Sequence, residues 1–271
     1  MDRGLSEAQA MPERASRDVG SWETGRRGLH EINERRYDDM ELYLIRHGQS
    51  ANNATEASGE RVCDPPLTEM GRRQSELTAR RVGDLDWARL NEHDGHRGVG
   101  LTRLYSSPML RALETADAIR KTTGRIPHVW IDVHEHGGIW LDHGDGKGPV
   151  GLPGMTREQM RERFPDFVIP QGVQGDGWWS RPMESDESAF VRARIVASQL
   201  QGLAETEERI GIVSHGGFAD SMIGALLNLP FAPALRFSHN NGAISRVDVT
   251  PGRVELRFLN RLDHLSAELV T

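Results

Sequence analysis

Two short apolar runs, Leu42-Tyr43-Leu44-Ile45 and Ile210-Gly211-Ile212-Val213, each run into a His-Gly pair: Arg46-His47-Gly48 and Ser214-His215-Gly216-Gly217. A continuous apolar run of this length reads as a central strand buried on both faces. Open α/β sheets bind ligands beyond the carboxyl ends of their strands, so two such turns can face one crevice. The glycines admit a ligand close to the backbone and expose amide N–H groups at the start of a following helix, which suits an anion. Either histidine alone reads equally well as a structural turn residue. Their neighbours decide the matter. Arg111 falls in the first turn of a predicted helix, where the macrodipole disfavours a cation and a bound anion would account for it. Arg46 supplies a rigid fork matched to phosphate oxygens. Glu135 follows a third strand candidate, His128-Val129-Trp130-Ile131, and its carboxylate can reach the same sheet edge. This set suits phosphoryl transfer. The arginines and His215 offset charge on the equatorial oxygens, His47 attacks in line, and Glu135 protonates the leaving oxygen. Asp132 and Asp142 are rival carboxylates, and a solvated loop acid is the plain alternative for Glu135.

The elements that must position these groups follow from pattern. Leu104-Tyr105 is a further strand candidate, and segments 243–249 and 254–258 alternate around Pro251-Gly252 as a hairpin. Thr68 is expected to cap a helix running to about Val82, and Ser107 to cap another with Pro108 at its first position. Phe190, Ala193, Val196, Leu200 and Leu203 mark a helix, and a mostly apolar one is expected from about Phe218 to Leu229. Strands alternating with helices imply an α/β three-layer sandwich, a mostly parallel central sheet flanked by helices. Segments 86–100 and 136–186 read as insertions, the second with one helix opened by Thr156. Residues 1–39, rich in Arg, Glu, Ser and Gly, read as a disordered or loosely docked extension, leaving 40–271 as a single catalytic domain.

Composition narrows the function. The 271 residues carry a formal net charge of −7, which gives no basic field for nucleic acid or anionic membrane. Any anion site must therefore be a local cluster. No apolar run is long enough to span a bilayer, and no signal-peptide core precedes residue 40. The single cysteine, Cys63, permits neither an intrachain disulfide nor a thiolate metal cluster and suits a cytoplasmic location.

The ordered motifs resemble those of the histidine phosphatase superfamily, the phosphoglycerate mutase-like family. Arg46-His47-Gly48-Gln49-Ser50-Ala51-Asn52-Asn53 matches its Arg-His-Gly signature. Asp64-Pro65-Pro66-Leu67-Thr68-Glu69-Met70-Gly71-Arg72-Arg73-Gln74 and Ser107-Pro108-Met109-Leu110-Arg111-Ala112-Leu113-Glu114-Thr115-Ala116 resemble its next two segments, and Val213-Ser214-His215-Gly216-Gly217 its second histidine motif. A single Arg-His-Gly would be weak; four matches in order are specific. The resemblance implies that His47 becomes phosphohistidine and that Arg46, Arg111 and His215, helped by Asn53 and the Gly216 amide, form the phosphate pocket. It further implies Glu135 as proton donor and later base, no metal or other cofactor, a small phosphorylated substrate, and the 136–186 insertion as a lid over the pocket.

Within that insertion His136, Lys147, Arg157 and Arg181 are candidates for a second anionic group of the substrate, although each reads more simply as a surface residue. Trp178-Trp179 reads as an anchor for the loop rather than a stacking platform. His134, His136 and His143 with Asp142 and Asp145 match no metal-site spacing. Mutase members carry a Tyr after the acid and an Arg-Arg pair in the insertion. Here His136-Gly137-Gly138-Ile139 follows Glu135, and no Arg-Arg pair occurs between 136 and 186. The expectation is a phosphomonoesterase. A mutase-type phosphoryl transferase and a non-catalytic phosphate-binding scaffold are the alternatives.

Overall fold

The computed structural model describes residues 40–54, 61–84 and 100–271; the expected extension at 1–39 and nearly all of the 86–100 insertion lie outside the described residues. In chain order the strands are β1 (Met40–Arg46), β2 (Arg103–Ser106), β3 (Pro127–Val129), β4 (Trp140–Leu141), β5 (Val150–Gly151), β6 (Arg209–Ser214), β7 (Ile244–Thr250) and β8 (Arg253–Arg261). The helices are α1 (Ala51–Ala54), α2 (Glu69–Gly83), α3 (Leu110–Thr123), α4 (Arg157–Arg163), α5 (Asp186–Gln201) and α6 (Gly216–Leu226). The main sheet has the order β3-β2-β6-β1-β7-β8, with β4 and β5 forming a separate small pair. β3, β2, β6 and β1 run parallel, while β7 and β8 add an antiparallel flank.

β1 shows why the apolar runs become central strands. Met40, Leu42 and Leu44 face one layer with Phe218, Met222 and Ile223 of α6 and Ala193, Val196 and Leu200 of α5. Tyr43 and Ile45 face the other, with Ala79 and Val82 of α2 and Leu113, Ala116 and Ile119 of α3. Each fully buried Leu, Ile or Phe contributes on the order of 2 kcal/mol, and burial on both faces holds β1 in a single register. The three-layer α/β architecture is as the pattern implied.

Several boundaries differ. Thr68 caps α2 as expected, accepting a 3.0 Å bond from Gly71 N. Ser107 does not cap α3. The helix starts two residues later with Met109 at its cap position, and the Asp64 carboxylate accepts from Leu110 N at 3.0 Å. Ser107 Oγ is instead paired with His215 Nε2 at 2.7 Å. The strand at 128–131 is shorter, because Ile131–Val133 tightens into a 3₁₀ turn. Leu203 lies past the end of α5, and α6 spans Gly216–Leu226 rather than reaching Leu229.

The 136–186 insertion contains α4, opened by a Thr156–Gln159 capping box as expected. It is fastened to the core. Ile139, Met160, Phe164, Phe167, Val173, Trp178 and Trp179 are buried with the α2–α3 layer, and Arg157 donates to the carbonyls of Ile169, Pro170 and Val173. The two tryptophans thus anchor the segment, and its exposed tip is 142–147.

Candidate active site

The backbone brings the chemical groups to one sheet edge. His47 N donates to Ser214 O at 3.0 Å and Ser107 N to Val213 O at 2.9 Å, extending the parallel ladders into the turns that follow β1 and β2. His47 and His215 therefore sit side by side, ring centroids 5.0 Å apart, and both are buried. His47 Nδ1 donates to Gly48 O at 2.6 Å, which leaves the lone pair on Nε2. Arg111 Nε donates to that atom at 3.1 Å. Burial first, then the positive charges of Arg111 and Arg46, hold the His47 pKa well below the usual histidine value. The ring is uncharged at neutral pH.

His215 is lowered for the same first reason, burial, reinforced by Arg111 and His47. Ser107 Oγ accepts from Met109 N at 3.3 Å, and among the described residues its hydroxyl proton finds its acceptor in His215 Nε2. The imidazole proton then sits on Nδ1, and that buried nitrogen has no partner. Arg46 repeats the pattern. One terminal nitrogen donates to His239 O, and its buried Nε has no partner. An unsatisfied buried polar group costs about 1–3 kcal/mol, so two of them at one sheet edge mark a place for an anion.

Glu135 closes the pocket from the acid loop. Its Oε1 accepts from Phe218 N at 2.9 Å and His136 N at 3.0 Å, and its Oε2 from Gly217 N at 3.2 Å. The carboxylate thus occupies the N-terminus of α6, where the dipole favours it, and its charge acts on both Arg46 and Arg111. The Gly216 N–H, beside Arg46, has no partner among the described residues. Of the rival carboxylates, Asp132 is exposed and Asp142 closes a surface turn on Gly144 N. A Cβ at Gly217 would stand 2.8 Å from Glu135 Oε1, so the glycine admits the carboxylate. Gly217→Ala is expected to displace Glu135 and lower kcat about tenfold or more while the denaturation midpoint barely moves, because only a side-chain tip must yield. Equal kcat in both proteins would contradict this.

Two groups near the site, Asn241 and Arg192, had no assigned role from sequence. Asn241, buried, donates from Nδ2 to His47 O at 3.1 Å and to Asn53 Oδ1 at 3.3 Å. Asn53 itself is exposed, and its Oδ1 also accepts from Ser50 N and Ser50 Oγ. Arg192 donates to the carbonyls of Asp132 and His134, just ahead of Glu135, and is forked onto Glu184 at 2.6 and 2.9 Å. Burial would raise the Glu184 pKa, but Arg192 and His134 outweigh it and hold the carboxyl at about 2. His136 is tied to Ser221 and Asp186, Arg181 lies over Trp179, and exposed Lys147 pairs with Asp145. Among the described residues no group of three or more His, Cys, Asp or Glu is arranged to hold a metal ion.

Asp64 gives the site a pH dependence. It caps α3 at Leu110 and lies 3.8 Å from Arg111, and burial raises its pKa to about 6 against the pull of Arg111. Its carboxylate form, which orients Arg111, is present above about pH 6 and lost below it. His47 stays neutral through this range. The acid limb of kcat/KM, corrected for substrate ionisation, is therefore expected near pH 6 and should disappear in Asp64→Asn. An unchanged limb in that variant would exclude Asp64 as its source.

A parallel sheet presenting two neutral histidines and two arginines beyond its strand ends defines a phosphate-directed α/β protein. The chain belongs to the histidine phosphatase superfamily (branch 1), whose family model matches residues 42–262. It is 27% identical over 211 residues to the "Probable phosphoglycerate mutase GpmB" of Photorhabdus laumondii, covering 77% of this chain and 85% of the relative. It is 28% identical over 217 residues to the protein of the same name from Serratia proteamaculans, with the same coverage. Among solved structures, a mycobacterial glucosyl-3-phosphoglycerate phosphatase superposes with a TM-score of 0.52 at 21% identity, over 83% of this chain and all of the other. "Mycobacterial hydrolase 1" gives 0.54 at 23% identity, over 82% and 99%. At such identities these two likenesses are of fold. Among the described residues no helix is long and apolar enough to cross a membrane.

Proposed function

We propose that the protein is a metal-independent phosphomonoesterase acting on a small phosphorylated substrate. The observation that carries this reading is the convergence of the His47 Nε2 lone pair, the Arg111 fork and the unpartnered Arg46 Nε and His215 Nδ1. The substrate phosphate draws Arg111 from His47 Nε2 onto its own oxygens. Nε2 then forms a bond to phosphorus as the bond to the ester oxygen breaks, and Glu135 relays the proton of the monoprotonated substrate to that oxygen. In the second half Glu135 takes a proton from water, the water oxygen attacks phosphorus, and inorganic phosphate leaves as the electron pair returns to Nε2. Arg46, Arg111, His215 and the Gly216 amide hold the three non-bridging oxygens throughout, with Asn53 at the rim. The full set of nucleophile and proton donor argues against a purely phosphate-binding scaffold, which needs neither. A cytoplasmic setting fits the lone cysteine.

The names of the curated relatives favour a second reading, a mutase that returns the phosphoryl group to a second hydroxyl. The missing Arg-Arg pair after Glu135 supports hydrolysis instead. The test is turnover of p-nitrophenyl phosphate and a panel of phosphorylated metabolites in EDTA, with rapid acid-free quenching to trap labelled protein. Phosphate release with label on the His47 peptide supports the hydrolase. Interconversion of phosphoglycerates faster than phosphate release would establish the mutase, and tight phosphate binding without turnover the scaffold.

A further inference from the structure

Glu135 is seated at the N-terminus of α6, and the loop that carries it is held from α5 by Arg192. One terminal nitrogen of Arg192 donates to Asp132 O at 2.7 Å and to His134 O at 3.0 Å. Its Nε and second terminal nitrogen fork onto Glu184 at 2.9 and 2.6 Å. The guanidinium also lies over Phe218, its carbon 4.7 Å from the ring centroid, and Phe218 N is the group that donates to Glu135 Oε1 at 2.9 Å. A single side chain thus touches the backbone just ahead of Glu135 and the residue whose amide grips the carboxylate. The intervening carbonyl, Val133 O, accepts from Ser214 Oγ at 2.7 Å. Glu184 continues the brace past Glu135, its N donating to Gly137 O at 3.3 Å.

The Arg192 and Glu184 side chains are only 11% and 12% exposed, and an ion pair withdrawn from water is costly unless its geometry is fully satisfied. Against the upward push of burial, Arg192 and His134 hold the Glu184 carboxyl at about 2, so the fork stays charged at neutral pH. A planar guanidinium that meets two carbonyls, a carboxylate and a ring has one orientation open to it. The acid loop has no regular structure of its own beyond the 3₁₀ turn at Ile131–Val133, so its course is set by these outside contacts. A reacting group displaced by about 1 Å can cost on the order of 10²-fold in rate. On the phosphatase reading, we propose that Arg192 is a positioning residue for the proton donor. It fixes Glu135 against the leaving oxygen through the backbone of residues 132–134 and the ring of Phe218.

Two esters of similar size separate placement from stability. The nitrophenolate of p-nitrophenyl phosphate leaves without a proton, whereas the alkoxide of benzyl phosphate needs one. The ratio of their kcat/KM values, measured on one preparation, cancels the fraction of folded protein. Arg192→Gln is expected to lower kcat/KM for benzyl phosphate at least tenfold more than for p-nitrophenyl phosphate, and to change the ratio no further in a Glu135→Gln background. Arg192→Lys, which keeps the charge beside Glu184 without the fork, should show a smaller change, and it carries the comparison should Arg192→Gln not fold. An unaltered ratio, or the same change in the Glu135→Gln protein, overturns the proposal. Should the protein turn over no phosphomonoester, the phosphatase reading fails on its own. Placement is read independently of turnover from amide exchange by NMR. The Phe218 and His136 N–H groups, both held by Glu135 Oε1, are expected to exchange at least tenfold faster in the Arg192 variant while those of β1 keep their rates. Unaltered rates at both amides, or an equal rise in β1, overturn the proposal as well.

Discussion

His47→Ala is expected to lower kcat for any phosphomonoester by about 10⁴-fold or more, with the fold retained. The size of the effect follows from geometry. On the proposed chemistry, among the described residues the ring is the group left to share an electron pair with phosphorus: Nδ1 is committed to Gly48 O, Nε2 meets Arg111, and His215 is committed to Ser107. Water entering the vacated space would have to be both positioned and deprotonated. Retention of structure follows from the backbone, because the His47 N and O bonds to Ser214 and Asn241 do not involve the ring. Measured by initial rates alongside a denaturation curve, a loss of less than about tenfold would show that His47 is not the nucleophile.

Gly71→Ala is expected to be the most disruptive change outside the chemistry, destabilising the protein by about 3 kcal/mol or more in chemical denaturation. A Cβ at residue 71 would lie 2.0 Å from the Gln49 carbonyl oxygen, and one at Gly48 would lie 2.2 Å from the Gly71 oxygen. Both obstacles are backbone, so no side chain can rotate out of the way. The same contact is locked by Thr68 N donating to Gln49 O and by Ser75 Oγ donating to Gly71 O. Separating these strands of backbone would push the first turn of α2 away from the His47 turn, so activity should fall together with stability. A variant as stable as the parent would mean that α2 can slide without cost.

What could be read from sequence was local. The Arg46-His47-Gly48 and Ser214-His215-Gly216 turns announce themselves because strand, imidazole and glycine are contiguous. Thr68 caps α2 because its partner is three residues away. Failures came where a distant residue took over a local role. Ser107 has a good cap residue's chemistry, yet Asp64 reaches Leu110 from 46 positions away and His215 takes the Ser107 hydroxyl. Asn241 and Arg192 carry no signal in their own neighbourhoods, since one acts on a carbonyl 194 positions earlier and the other on carbonyls about 60 positions earlier. Glu135 could be nominated by its place after a strand, but its seat at the N-terminus of α6 depends on amides 82 and 83 positions away.

The strand that leads into His47 has neighbours that are made late. β1 pairs with β6 on one edge and β7 on the other, and both come from the last quarter of the chain. During synthesis, the Met40–Arg46 segment therefore emerges with apolar faces and two open edges long before either partner exists. Native pairing must wait while a loop of well over a hundred residues closes, which makes folding slow and the nascent chain sticky. Ribosome-bound chains stopped before residue 209 should be bound by chaperones and be sensitive to proteolysis, and release from both should coincide with the appearance of β6 and β7.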